Sequence, residues 1–142
     1  IYNSGESFAK LSMDLAGAYP AEAGLTSWNR TLTLNRGQDV TLKERFVLQH
    51  TVSEIRLSLM TPCDVRELAS GALELRSHGM PDSVRVIYDG EKLKATLEII
   101  PITDKGLQSV WGSQITRIQL TGTTLDQEDE WQIRFLLQRR IN

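Results

Sequence analysis

Ser27-Trp28-Asn29-Arg30-Thr31-Leu32-Thr33-Leu34-Asn35-Arg36-Gly37-Gln38-Asp39-Val40-Thr41-Leu42-Lys43-Glu44-Arg45-Phe46-Val47-Leu48 decides the fold. Trp28, Leu32 and Leu34 share one parity, with Arg30 among them, while Asn29, Thr31, Thr33 and Asn35 take the other. Past the break, Val40, Leu42, Phe46 and Leu48 share a parity that Glu44 interrupts. A period of two puts one face of a strand against a core and the other in water. Between the runs lies Asn35-Arg36-Gly37-Gln38, and Asn and Gly tolerate the positive φ that a tight turn needs. The stretch is read as a long β-hairpin in which Trp28, Leu32 and Leu34 are buried and Thr31 and Thr33 less so.

Upstream, residues 1–5 read as a frayed start, and Phe8 to Asp14 as a strand with Ala9, Leu11 and Met13 on one face. Residues 15–24, rich in Ala and Gly with one Pro, suggest a loop with a helical turn ending at Gly24. Downstream, Val52 to Met60 alternates, with Ile55, Leu57 and Leu59 opposing Arg56, Ser58 and Met60, and Thr61-Pro62 ends it. Cys63 to Gly71 is ambiguous, with a connecting loop as one reading. Ala72 to Arg76 and Ser83 to Tyr88 are short strands, and Asp89-Gly90 is a hairpin signal leading into a strand over Lys94 to Ile100. Pro101 to Gly112 is a longer connection with a turn of helix through Leu107 and Val110. Ile115 to Leu120 is a strand with Ile118 and Leu120 near Trp111, 121–130 a polar loop, and Trp131, Ile133, Phe135 and Leu137 the last alternation.

About nine short strands at roughly 8–12-residue spacing, without a long amphipathic helix, predict an all-β fold, an antiparallel sandwich or barrel with the sandwich preferred. The 142 residues make one domain, with residues 1–25 belonging either to this sandwich or to a preceding one. Hydrophobic residues are 40% and charged residues 24%, ordinary for a globular domain, and the longest apolar runs fall far short of the ~20 residues that span a bilayer. A formal net charge of -2 supplies no basic field for nucleic acid. Cys63 is the single cysteine, so an intramolecular disulfide and a thiolate metal cage are excluded. No signal segment is read at the start, and residue 1 is Ile, which suggests processing or a piece of a longer protein.

A set of residues in order carries a resemblance. Phe8, Asp14-Leu-Ala-Gly-Ala-Tyr19-Pro, Glu22-Ala-Gly24, Trp28, Arg30-Thr-Leu, Leu34-Asn-Arg36, Val40-Thr-Leu and Phe46, then Leu59-Met-Thr-Pro62 and Trp111-Gly112 with Arg117-Ile118, resemble heparinase II/III-like polysaccharide lyases. The resemblance spans most of the chain and rests on strand and loop residues. It implies the distal, C-terminal β-sandwich portion of a secreted or periplasmic lyase in which an α/α toroid precedes β-sandwich domains. Such enzymes cleave uronic-acid-containing polysaccharide by β-elimination. The implied partners are the catalytic toroid and central sandwich of the same parent chain, and polysaccharide. The resemblance implies catalytic Asn, His and Tyr upstream, where no segment of this chain matches, so the chain alone is expected to be inactive and to need no cofactor.

β-Elimination needs a group to neutralise the uronate and a base within hydrogen-bond reach of the abstracted proton. Tyr19, Arg30 and His50 are suitable types, but nothing in their spacing joins them. His50 and His78 are too few for a metal site. Asp126-Gln-Glu-Asp-Glu130 lacks the spacing of a calcium loop and reads as a solvated hairpin tip. Asn29-Arg30-Thr31 matches the glycosylation acceptor pattern by chance in mid-strand, and Cys63 reads as a buried or half-buried thiol. Aromatic faces stack on sugar rings, so the carbohydrate-contact candidates are Trp28, Arg30, Tyr19 and Trp111. Against this, Trp28, Trp111 and Trp131 each flank an apolar alternation, where tryptophan serves the core.

Two readings follow: an accessory sandwich of a lyase, or an independent carbohydrate-binding module. A complete small lyase ranks last. Exposed coplanar tryptophans would favour the module. Buried tryptophans with an exposed apolar patch, expected around Phe8, Leu11, Leu15 and Tyr19, would favour the accessory domain.

Overall fold

The computed structural model describes residues 1–123 and 126–139. The fold is an antiparallel all-β sandwich, and the organising stretch forms its central hairpin. Strand β3 (Leu25–Asn35) pairs with β4 (Asp39–Leu48), placing Trp28 opposite Phe46, Arg30 opposite Glu44, Leu32 opposite Leu42 and Leu34 opposite Val40. Gly37 takes φ 75°, and the Gln38 N–H donates to the Asn35 carbonyl (3.0 Å), so three residues suffice to reverse the chain. At the hairpin's end Asp39 accepts from the Asn35 amide and from the Arg134 guanidinium. Those two hydrogen bonds, Asn35 first, hold its carboxyl below the ordinary carboxylate range.

The remaining strands are β1 (Tyr2–Ser4), β2 (Phe8–Asp14), β5 (Arg56–Thr61), β6 (Asp64–Ala69), β7 (Ala72–Arg76), β8 (Ser83–Tyr88), β9 (Leu93–Pro101), β10 (Gln114–Gly122) and β11 (Glu128–Gln138). The larger sheet has the order β1-β2-β3-β4-β11-β8-β7-β6 and the smaller β5-β10-β9. Strand β11 inserts between β4 and β8, so the last strand stitches the first four to the group β6–β8.

The core lies between the sheets. Trp28, Leu42, Phe46, Leu73, Val86, Tyr88, Trp131 and Ile133 come from the larger sheet, and Leu57, Leu93, Ile118 and Leu120 from the smaller. The smaller sheet covers only the middle of the larger one. Along one inward row, Ile133, Leu42 and Tyr88 are buried, Leu32 is half-buried, and Leu11 and Tyr2 are exposed. A neighbouring groove of about 690 Å³ is lined by Leu34, Val40, Val84, Phe135 and Leu137 at the same open end.

The structure departs from several expectations. Leu34 has inward parity yet is 41% exposed, because no strand of the smaller sheet lies over it. Of the residues expected in one exposed apolar area, Leu11 is exposed beside Tyr2 and Tyr19 is half-exposed at a separate recess by Trp28, while Phe8 is half-buried and Leu15 packs against the core. Residues 2–4 form β1 instead of a frayed start. Cys63 to Gly71 is not a loop: β6 pairs with β7 as an exposed edge strand, where charged side chains mask the strand pattern. Alternation over Val52 to Met60 overstates the strand, which begins at Arg56. Asp89-Gly90 is a turn but no hairpin. The Asp89 side chain accepts from the Glu91 and Lys92 N–H groups, and the chain crosses from one sheet to the other. The acidic run is exposed at 126–128 but is no hairpin tip, since β10 and β11 lie in different sheets and Glu128, Asp129 and Glu130 belong to β11, pairing with Arg45, Lys92 and Lys43. Thr124 and Leu125 of the expected polar loop lie outside the described residues.

Candidate functional site

Hairpin register and the insertion of β11 bring four polar side chains onto the inward face. Arg30 lies opposite Glu44, Trp131 lies opposite Glu44 on the other side, and Asp129 lies opposite Phe46. A carboxylate buried away from water must be paired and hydrogen-bonded. Glu44 is 0% exposed and accepts from the Trp28 indole Nε1 (2.6 Å) and from Arg30 Nε (2.5 Å). Asp129 repeats the arrangement. One oxygen takes the Lys92 ammonium and the Glu130 N–H, the other the Trp131 indole Nε1 (3.1 Å). Burial pushes the Asp129 carboxyl up, and these hydrogen bonds, Lys92 foremost, outweigh it and leave it below the ordinary value. Each buried tryptophan thus has its N–H on a carboxylate that also carries a cation.

Between the two carboxylates runs an aromatic ladder. Tyr19 stacks on Trp28 with centroids 6.1 Å apart and planes 17° apart; Trp28 meets Phe46 at 5.3 Å, and Phe46 meets Trp131 edge-on at 5.1 Å. Tyr19 is held by the 14–24 segment. The Asp14 carboxylate accepts from the Ala16 and Trp28 N–H groups, which lower its pKa, and two 3₁₀ turns follow over Ala16–Ala18 and Ala21–Ala23. Gly24 closes them at φ 63°, and the exposed His50 ring lies where a Cβ on Gly24 would be, 2.4 Å from that point. The ladder ends at a recess of about 200 Å³ lined by Tyr19, Ala23, Trp28, Val52, Glu54 and Arg56.

Of the carbohydrate-contact candidates, the structure links Tyr19, Trp28 and Arg30. Trp28 is only 7% exposed, and Arg30 spends its Nε on Glu44, whereas Tyr19 is 49% exposed. Trp111 stands apart on the helix α1 (Lys105–Trp111), whose Asp104 cap accepts from the Leu107 N–H. It lines an apolar recess of about 290 Å³ with Met60, Pro62, Leu107 and Ile115, at the far end of β5 from the Tyr19 recess, and it is 49% exposed. Its neighbour is Ile115, on the opposite parity to Ile118 and Leu120. Among the described residues no three His, Cys, Asp or Glu side chains converge as metal ligands, and no helix is long and apolar enough to cross a membrane.

Glu44 and Asp129 carry the inward polar network and were not among the sequence candidates. Glu44 was detectable as the polar interruption of an apolar parity, and the turn at Gly37 places Arg30 opposite it. Asp129 had no such signal, because Lys92 reaches it from a crossover whose destination the sequence does not reveal.

A β-sandwich whose inward face carries two carboxylates, each holding a tryptophan N–H and a cation, is the class these features define. No family model matches the sequence, and no curated protein matches it significantly. Solved structures do match in fold. Heparan sulfate lyase HepC from Pedobacter heparinus superposes with a TM-score of 0.71 at 7% identity, over 100% of this chain and 22% of that one. Heparinase III superposes with a TM-score of 0.70 at 11% identity, over 99% of this chain and 21% of that one. The chain therefore shares the fold of a segment of these lyases and spans about a fifth of their length.

Proposed function

We propose that this chain is the accessory β-sandwich domain, residues 1–142, of a heparinase II/III-like polysaccharide lyase. In this reading it braces the catalytic domains of a longer, periplasmic or secreted protein, and the parent cleaves uronic-acid-containing polysaccharide by β-elimination. The observation that carries the proposal is the match of essentially the whole chain to about a fifth of two heparan sulfate lyases. Two further features support it. The inward row from Leu11 through Tyr2 and the groove at Leu34 and Leu137 leave apolar surface open, as a domain docked on a neighbour requires. Trp28 and Trp131 are spent on the core, which removes the paired aromatic platform of a carbohydrate-binding module. Tyr19 and Trp111 are the half-exposed aromatic faces that a glycan crossing the parent could still meet.

The isolated chain lacks an assembled elimination site in this reading. Arg30, the cation suited to a uronate, is committed to Glu44, and the ring of Tyr19 is stacked on Trp28. Incubation of the chain with heparan sulfate, alginate and chondroitin is expected to give no rise in the ultraviolet absorbance of the unsaturated uronate product. Turnover that disappears in Tyr19→Phe or His50→Ala would instead make this sandwich the enzyme.

A further inference from the structure

The sheet edges differ. Strand β1 has three residues, and β6 carries Asp64, Arg66 and Glu67 and a bulge, so both are blunted against pairing. Strand β9 is nine residues long, terminal in its sheet, and exposed from Thr96 to Ile99. Its inward row ends in Leu97 and Ile99, 42% and 63% exposed. Its outward row is Lys94, Thr96 and Glu98, with Glu98 bound to Arg117 across the sheet (2.9 Å).

Hydrogen-bond phase decides which groups face the free edge. The Ile102 N–H donates to the Ser113 carbonyl and the Thr123 N–H to the Lys92 carbonyl, so even-numbered residues of β9 bond to β10. Ala95, Leu97 and Ile99 therefore direct both N–H and C=O outward, with no strand of the described residues beyond them. The edge is also symmetric about Thr96 with its charge inverted: Leu93-Lys94-Ala95-Thr96-Leu97-Glu98-Ile99 runs apolar, cation, apolar, Thr, apolar, anion, apolar.

The geometry points to a second copy of this chain as the partner of β9, added antiparallel about a two-fold axis at Thr96. In that register Ala95 faces Leu97 of the second copy as a hydrogen-bonded pair, so the free backbone groups satisfy one another. Lys94 faces the second copy's Glu98, and Glu98 its Lys94, in the closer non-hydrogen-bonded positions. Leu93 faces Ile99, which continues the inward apolar row across the axis on the same side. Sliding by two residues keeps the hydrogen-bond phase but breaks both ion pairs, and in the direction that sets Glu98 against Lys92 that ammonium is already held by Asp129; sliding by one breaks the phase, so charge and backbone select the same register. Two three-stranded sheets then become one of six. The inference stands apart from the lyase reading.

Charge exchange tests it. Sedimentation equilibrium of the chain at rising concentration should approach twice the mass of the monomer, and the association should weaken with added salt because the ion pairs are exposed. Lys94→Glu alone and Glu98→Lys alone should each stay monomeric. An equimolar mixture of the two should dimerise, since every Glu of one strand then faces a Lys of the other. Hydrogen exchange at the Ala95, Leu97 and Ile99 amides should slow as dimer forms, while circular dichroism checks that each variant is folded. A wild-type chain that stays monomeric, a dimer indifferent to both reversals, or a dimer whose β9 amides exchange freely would overturn the inference.

Discussion

At the scale of the residue, Glu44 is tightly constrained. It is a carboxylate without exposure, surrounded by Trp28, Phe46 and Trp131, and its stability there depends on two donors. Glu44→Ala leaves the Arg30 guanidinium and the Trp28 N–H facing a void, and breaking a buried pair in this way costs about 3–5 kcal/mol. Glu44→Gln preserves shape and one good acceptor, so its cost should be nearer 1–3 kcal/mol, about that of a weakened charged hydrogen bond. Urea unfolding followed by tryptophan fluorescence reads both, with the midpoint falling at unchanged slope. Equal and small losses would mean that the network contributes shape alone. Arg30 and Glu44 were legible as paired exceptions to the hairpin's parity. That the Trp28 indole completes the pair was not, because parity assigns a face and says nothing of where a side chain's polar end turns.

At the scale of the element, burial grades along the hairpin. Leu42 is buried, Leu32 half-buried, and Leu34 exposed, although all three face inward. Leu42→Ala should cost about 2–5 kcal/mol through lost transfer energy and a cavity. Leu32→Ala should cost roughly half as much and Leu34→Ala less than ~1 kcal/mol, since little area is withdrawn from water there. Thermal unfolding of the three variants supplies the ranking, and equal costs would place a covering element over Leu34. The hairpin, its turn at Gly37, β2, β7, β8 and β11 were readable because each alternates or is bounded by turn chemistry. Strand β6 escaped because an exposed edge has no dry face to imprint a period. The Asp89-Gly90 turn was recognised but its destination was not, because turn chemistry is local whereas the choice between pairing and crossing is made by the core.

At the scale of the molecule, alternation identified a sandwich but not its division into eight strands and three. Which strands share a sheet depends on contacts far apart in sequence, above all on β11 filling the place between β4 and β8. The candidate site was legible in part. Tyr19, Trp28 and Arg30 do gather, with Trp28 buried, Arg30 held by Glu44 and Tyr19 half-exposed, and Trp111 belongs to the opposite end of β5. Trp28, Phe46 and Trp131 serve the sandwich's own cohesion, while Tyr2, Leu11, Leu34 and Leu137 leave apolar surface exposed, which supports the proposed accessory role.

The most direct test of that role is a lyase assay on the reading frame that contains these residues, with and without them, on heparan sulfate, alginate and chondroitin. The whole product should release unsaturated uronate from one of these. Removal of residues 1–142 should spare kcat/KM in freshly prepared enzyme while shortening its half-life on warming. A parent inactive on all three, or a deletion that is as durable as the whole, would contradict it.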